Sequence, residues 1–294
     1  MRIVITDSGL GGLSVLAELE NRLKEKPIYK NAELIFFNSL YSSDHGYNAL
    51  ENPDQKIIIF NNALNSIEKN YNPDLILIAC NTLSVVYPKT EFATRTNIKV
   101  KGIVDSGVSQ FENELKKKES KIILFGTATT INSDVYKNSL VKDGIGESQI
   151  INKACPDLET FIQHNPESKE TRIAIKGFVK DVAKELDEIP KTVFAGLCCT
   201  HYGYSESLFF EALSSELNSE IKILNPNNRM LDFLFANSDN TFTQSNVSVK
   251  VVSQVKLKST EIDSLSKILE VNAPKTAWAL RNYNYIENLF DMKW

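Results

Sequence analysis

No uninterrupted apolar stretch in this chain approaches the roughly 20 residues needed to cross a bilayer. No charged leader with an apolar segment and a small-residue cleavage site precedes the first strand-like run, "RIVIT", so nothing reads as a secretory signal. The expected compartment is the cytoplasm. Cysteine is scarce: 294 residues hold four, Cys80, Cys155, Cys198 and Cys199. In a reducing compartment they are expected as thiols rather than disulfides. There is no C-x-x-C pair. Cys198, Cys199 and His201 lie close together, and His45 or Cys80 could complete a set, but adjacent cysteines rarely both reach one ion, so no metal is expected. An excess of positive charge is also missing. The net charge is −4, which gives no general attraction to nucleic acid or anionic membrane. The one dense basic run, Lys116 to Lys118, is followed at once by Glu119 and reads as a solvated helix end. No low-complexity segment or long Gly/Ser linker interrupts the chain.

What is present is an alternation of short apolar runs with longer amphipathic ones. Strands are expected at 2–6, 33–38, 74–79, 99–104, 121–126, 192–197, 221–226 and 247–255. Leu13, Leu16, Leu19 and Leu23 recur at helical spacing, as do Ile58, Leu64 and Ile67. Strands apolar on both faces and separated by helices predict an α/β protein of mainly parallel sheets flanked by helices. A junction is expected near 97–99, where a new strand follows a charged segment. The polar stretch 237–246 reads as a loop. The aromatic-rich end, from Trp278 to Trp294, reads as a capping helix or as the contact of a homodimer.

Four strand ends share one chemistry. Asp7-Ser8-Gly9 follows the first strand, Cys80-Asn81-Thr82 the third, Thr127 to Thr130 the fifth, and Cys198-Cys199-Thr200-His201 the run at 192–197. Ligands of open parallel sheets bind beyond the carboxyl ends of the strands, where starting helices offer free N–H groups and a positive dipole end. Such turns hold carboxylates or phosphates without arginine. The same residue types are also preferred helix N-caps, so it is the set of four that carries the argument. "DSGLGG" lacks the G-x-G-x-x-G spacing and a Walker lysine, which excludes both nucleotide motifs.

Cys80 and one of Cys198 and Cys199 occupy equivalent places, at a strand end and a helix start. A helix N-terminus lowers a thiol pKa from about 8.5 and favours the thiolate. Two opposed thiols suit removal of a proton from one face of a carbon and its return to the other. Cys155 reads as a buried, inert thiol, as does the remaining member of the doublet.

The blocks "ITDSGLGGLSVL", "IACNTLSV", "GTATTINSDVY", "KACP" and "CTHY", in this order over residues 1 to about 210, resemble the glutamate racemases of the cofactor-independent aspartate/glutamate racemase superfamily. The resemblance implies two pseudo-symmetric α/β domains, 1–98 with 206–294 and 99–205, with the active site in the cleft between them. It implies Cys80 and Cys199 as general acid/bases, Asp7 assisting Cys80 and His201 assisting Cys199. It implies Ser8, Asn81, Thr82, Thr127, Thr130, Thr200, Tyr47 and Asn48 as substrate-binding residues. The substrate would be a small amino acid, with no cofactor and no metal, and the usual role of the family is to feed cell-wall peptidoglycan synthesis.

The match departs from the family at several places. The family's Pro-Tyr-Gly turn reads Gly46-Tyr47-Asn48. A glutamate usual after "KACP" is Gln163. Cys198 stands in for glycine, Gly203 for proline, and "NPNN" at 225–228 for an acidic, Ser-containing turn. The acid/base pair is retained while the specificity shell has changed, so glutamate is the first expectation and aspartate or another polar amino acid the second. Two readings of other kinds stand beside it: a binding or regulatory protein without turnover on the same fold, and a lyase or decarboxylase of the superfamily, which would generally keep one catalytic cysteine.

Overall fold

Ile3, Val4 and Ile5 have no exposed surface, and such a run, apolar on both faces, forms an interior strand of a covered parallel sheet. The structure, a computed structural model, describes every residue except 44–45, 51, 117–119, 187, 189, 237–240 and 293–294. His45, most of the basic run at 116–118 and part of the loop expected at 237–246 therefore lie outside the described residues. The chain divides into two compact units, Met1–Ile103 with Met230–Trp294, and Val104–Arg229.

In the first unit, the strands are β1 (Arg2–Asp7), β2 (Asn31–Asn38), β3 (Leu75–Ile78) and β4 (Lys99–Gly102). In the second they are β5 (Ser120–Gly126), β6 (Ile150–Ala154), β7 (Thr192–Cys198) and β8 (Glu220–Leu224), and the first unit is completed by β9 (Asn246–Ser253) and β10 (Asn284–Tyr285). The sheets have the orders β10-β9-β2-β1-β3-β4 and β6-β5-β7-β8. Every pairing is parallel. Both sheets contain the same arrangement, 2-1-3-4 in the first and its counterpart 6-5-7-8 in the second. β3 and β7 thus hold the same place, each beside the first strand of its unit.

The expected junctions move. β4 pairs with β3 as an edge strand of the first sheet, and β8 pairs with β7 as an edge strand of the second. The units accordingly meet at 103/104 and 229/230 rather than at 98/99 and 205/206. The helix Glu206–Glu216 also belongs to the second unit, where Leu208, Phe209, Ala212 and Leu213 pack into its core. The strand expected over 99–104 stops at Gly102, because Ile103 begins a helix that runs to Leu115.

Helix Leu13–Glu25 buries Leu13, Leu16, Leu19 and Leu23, as its spacing requires. Helix Pro53–Tyr71 starts on an Asn52 cap whose side chain accepts from the Asp54 N–H, followed by Pro53 at a position where a missing N–H costs nothing. Its inward face is Ile59, Phe60, Ala63, Leu64 and Ile67. Ile58 is exposed, one position out of phase with that face. No described helix is long and apolar enough to cross a membrane.

Candidate active site

In the first unit β1 and β3 are neighbours, with Thr6 opposite Ile78. The Ala79 N–H donates to the Thr6 carbonyl, so the chain reaches Cys80 just as β1 ends at Asp7. Asp7 is almost wholly buried. The Ser8 hydroxyl lies 3.1 Å from Cys80 Sγ. Cys80 caps the helix Asn81–Val86, its sulfur accepting from the Leu83 N–H at 3.4 Å. Asn81 and Thr82, the first two residues of that helix, are buried. The approach of the following helix is tight: a β-carbon on Gly12 would lie 2.9 Å from both Asp7 Oδ2 and Ala79 Cβ. Only glycine lets the backbone come that close to the carboxylate.

A thiol at a helix start is expected to have a lowered pKa, and here the structure reverses the expectation. Burial pushes Cys80 up to about 12, the negative charge of Asp7 acts in the same direction, and the hydrogen bonds from Ser8 and Leu83 offset them only in part. Cys80 therefore rests as a thiol and becomes a strong base once ionised. Tyr47 stands nearby in the short turn Tyr47–Ala49. Burial raises its hydroxyl well above the ordinary range, and the charges of Cys80 and Tyr41 add to that. The Tyr47 hydroxyl has no hydrogen-bond partner among the described residues. Tyr41 packs edge-on against its ring, with centroids 5.6 Å apart. Asn48, beside it, is exposed.

The second unit repeats the plan with different groups. Thr127 follows β5 and caps the helix Ala128–Asn132, accepting from the Thr130 N–H at 3.4 Å while its hydroxyl donates to Thr130 Oγ1 at 3.1 Å. At the end of β7 the two adjacent cysteines part company. Side chains alternate across a strand: Cys198 joins the core with Phe111, Leu124 and Tyr136, and Cys199 the one with Leu158, Tyr202 and Phe209. The Cys198 thiol is held well up by burial, against a hydrogen bond from the Tyr136 hydroxyl. Cys155 is buried, and its pKa is likewise raised by burial. All four cysteines are thiols. Among the described residues, no group of three or more His, Cys, Asp or Glu is placed to hold a metal ion.

Cys199 is followed by a run of 3-10 helix, Thr200–Ser205, that carries Thr200 and His201 inward. His201 Nδ1 lies 3.9 Å from Cys199 Sγ. Burial pulls the imidazole down to about 4, so the ring is neutral near pH 7. Its far side, Nε2, is 2.9 Å from Gln163 Oε1 on the helix Leu158–His164. The Thr200 carbonyl accepts from Asn227 Nδ2 at 2.9 Å, and Asn227 N–H in turn donates to Asn225 Oδ1 at 3.0 Å.

The structure thus gathers Asp7, Ser8, Cys80, Asn81, Thr82 and Tyr47 in one unit, and Thr127 and Thr130, then Cys199, Thr200 and His201, at the strand ends of the other. Sequence reasoning marks Gln163 only as a departure, without its contact to His201. It likewise marks Asn225 and Asn227 only as part of a changed turn, without the brace they form, and it gives no sign that Tyr136 partners Cys198. The one available signal for Gln163 is its place on a short helix directly after Cys155.

No protein-family model matches the chain. Over 231 residues it is 31% identical to the glutamate racemase of Fusobacterium nucleatum, an alignment covering 76% of each chain. Over 203 residues it is 28% identical to the glutamate racemase of Aquifex pyrophilus, covering 69% of this chain and 71% of that one. Its fold is similar to that of a glutamate racemase isoform from Bacillus anthracis, with a TM-score of 0.69 at 20% identity over 99% of this chain and 97% of that one. A glutamate racemase from Francisella tularensis, solved in complex with D-glutamate, gives a TM-score of 0.69 at 19% identity, covering 92% and 93% of the two chains.

Proposed function

The chain belongs to the glutamate racemase family, and from that premise we propose that it interconverts L- and D-glutamate by a two-thiol proton transfer that needs no cofactor. The observation that supports this most is the shared placement of two thiols. Cys80 follows β3 and Cys199 follows β7, the same position in the 2-1-3-4 and 6-5-7-8 orders. Each has a titratable neighbour, Asp7 for Cys80 and His201 for Cys199.

The Cα–H of an amino acid is a very weak acid. In the proposed reaction one sulfur, as thiolate, takes the α-proton, and the electron pair is left on Cα and its carboxylate. The other sulfur, as thiol, gives its own proton to the opposite face and becomes the thiolate, so the enzyme ends poised for the reverse direction. A thiol with a pKa pushed up to about 12 is well matched to so weak a carbon acid once ionised. The developing charge on the α-carboxylate would be met by fixed donors: the Ser8 and Thr82 hydroxyls and the Asn81 amide in one unit, and Thr127, Thr130 and Thr200 in the other. The buried Tyr47 hydroxyl would donate to the side-chain carboxylate of the substrate.

The test is hydrogen exchange. Purified protein is incubated in D2O with L- or D-glutamate and no added cofactor, and the α-proton is followed by NMR. Loss of the α-proton from both enantiomers, with appearance of the opposite one, supports the proposal. Absence of exchange at high protein concentration overturns the glutamate assignment. A panel with aspartate and other polar amino acids then separates a changed substrate, for which the Gly46-Tyr47-Asn48 turn is the reason, from a binding protein without turnover.

A further inference from the structure

We propose that Gln163 is a positioning residue that fixes His201 as the Nε2–H tautomer and turns the Nδ1 lone pair toward Cys199, so that the Cys199 side of the site rests as a neutral thiol–imidazole pair. Its catalytic consequence rests on the racemase reading; the placement of the proton does not.

Gln163 Oε1 is an acceptor only, and His201 Nε2 stands 2.9 Å away. With the amide turned so that Oε1 meets the ring, the hydrogen belongs on Nε2, since the other tautomer would set two lone pairs against each other in a part-buried contact. A neutral imidazole with Nε2–H has its lone pair on Nδ1, and that atom faces Cys199 Sγ at 3.9 Å. The ring is then built to accept the thiol proton. When it does, the S–H bond breaks, Nδ1–H forms, and an imidazolium stands beside a thiolate. Return of the proton restores the starting pair.

An amide and a carboxylate would hold the ring in the same orientation, but they differ in charge. A carboxylate at this position would stabilise the imidazolium by direct attraction and by a charge-assisted bond. Gln163 supplies the orientation alone. The chain has thus separated two roles that one acidic side chain would combine, and the ring remains an acceptor down to low pH.

The elements packed against the His201 turn carry these titratable and charged groups. Cys199 and the buried Tyr202 come from its own segment. Helix Leu158–His164 presents Gln163 and Glu159, and the charge of Glu159 bears on Cys155 and Tyr202. Glu206, at the start of the next helix, accepts from Asn225 Nδ2. Burial is the cause that lowers the His201 pKa.

The experiment is long-range 1H–15N NMR of the histidine side chains in the full chain, with His45 and His164 assigned by substitution. The expected wild-type result is a neutral Nε2–H ring for His201 from pH 8 down to about pH 5. Gln163→Glu, which keeps the shape, should raise the proton affinity of His201 at least tenfold, so that imidazolium appears between pH 5 and 7. Gln163→Leu should mix the two tautomers. A wild-type Nδ1–H tautomer overturns the proposal, as does a Gln163→Glu ring that titrates like the wild type. In racemisation assays, Gln163→Glu should move the acid limb of the kcat profile upward with KM unchanged. Absence of racemisation in the wild type would overturn the glutamate reading while the NMR result still decides the role of Gln163.

Discussion

A β-carbon on Gly203 would lie 2.6 Å from Asn225 Nδ2 and 3.3 Å from Asn227 Nδ2. Asn225 is tied down by Glu206, and Asn227 holds the Thr200 carbonyl. The glycine at 203 and the Asn-Pro-Asn-Asn turn, which read as separate departures in sequence, are therefore one packing arrangement beneath the Cys199–His201 turn. Gly203→Ala is expected to cost about 1–3 kcal/mol through overpacking. Adding Asn225→Ala should return part of that loss, giving a coupling energy of opposite sign to the single changes. Urea denaturation of the two single variants and the double variant measures it. Strictly additive costs would show that the two positions are independent.

In the proposed reaction, the strand sets which of the two adjacent sulfurs would act. Cys198 and Cys199 point into different cores, and only Cys199 has His201 beside it. Cys80→Ser and Cys199→Ser should each lower racemisation by roughly 10²–10⁴-fold, the range of a lost general acid or base. Cys198→Ser should keep most of the rate and act mainly on stability, because its thiol is buried against Tyr136. Circular dichroism of glutamate gives the rates. Equal losses at 198 and 199 would mean that the alternation along β7 has been misassigned to function.

Much of this was visible in the sequence. β1, β2, β3, β5 and β7 are apolar runs with four or more buried residues each, so their periodicity is unmistakable. Edge strands are harder. β6 (IINKA) buries only Ile150 fully, and β10 is two exposed residues, so neither stands out. "KVKG" is an edge strand with no fully buried residue, which is why it reads as the start of a new domain. The candidate thiols and hydroxyls can be located at strand ends from the sequence, because a strand end is a local feature. Gln163 meets His201 across 38 residues, a contact that only tertiary packing creates. The raised thiol of Cys80 is a matter of burial depth, and a helix-start pattern does not encode depth.

Stability should have a plateau bounded by two of these groups. His201 is held down to about 4 in the folded protein, against about 6.5 in an unfolded chain. As pH falls below about 6.5 the unfolded chain takes up the proton first, so stability declines until pH nears 4. Cys80 is pushed up to about 12, against about 8.5 unfolded. As pH rises past about 8.5 the unfolded chain loses its proton first, and stability declines again. Thermal unfolding across pH should show both arms. His201→Asn should flatten the acid arm. Cys80→Ala should flatten the alkaline arm only in part, because burial also raises Cys155 and Cys198. An acid arm unchanged in His201→Asn would show that other groups cause it.

The last helix of the first unit depends on a single buried carboxylate. Glu20 lies on the inward face of helix Leu13–Glu25, where it accepts from the Lys275 N–H at 3.0 Å and from both the N–H and the hydroxyl of Thr276 at 2.7 Å. Those donors open the helix Pro274–Arg281, whose N-cap position, Ala273, has no side-chain acceptor to offer. Glu20 thus does at long range what a capping residue does locally, and its negative charge sits at the favourable end of the helix dipole. Glu20→Ala leaves the buried N–H and hydroxyl of Thr276, and the part-buried N–H of Lys275, without their acceptor, an expected cost on the order of 2–4 kcal/mol. Glu20→Gln keeps one acceptor oxygen and should cost less than half as much. Urea denaturation ranks the two, and hydrogen exchange should show the amides of Lys275 and Thr276 losing protection in Glu20→Ala. If both variants unfold at the wild-type midpoint, the C-terminal helix is held by its apolar packing alone.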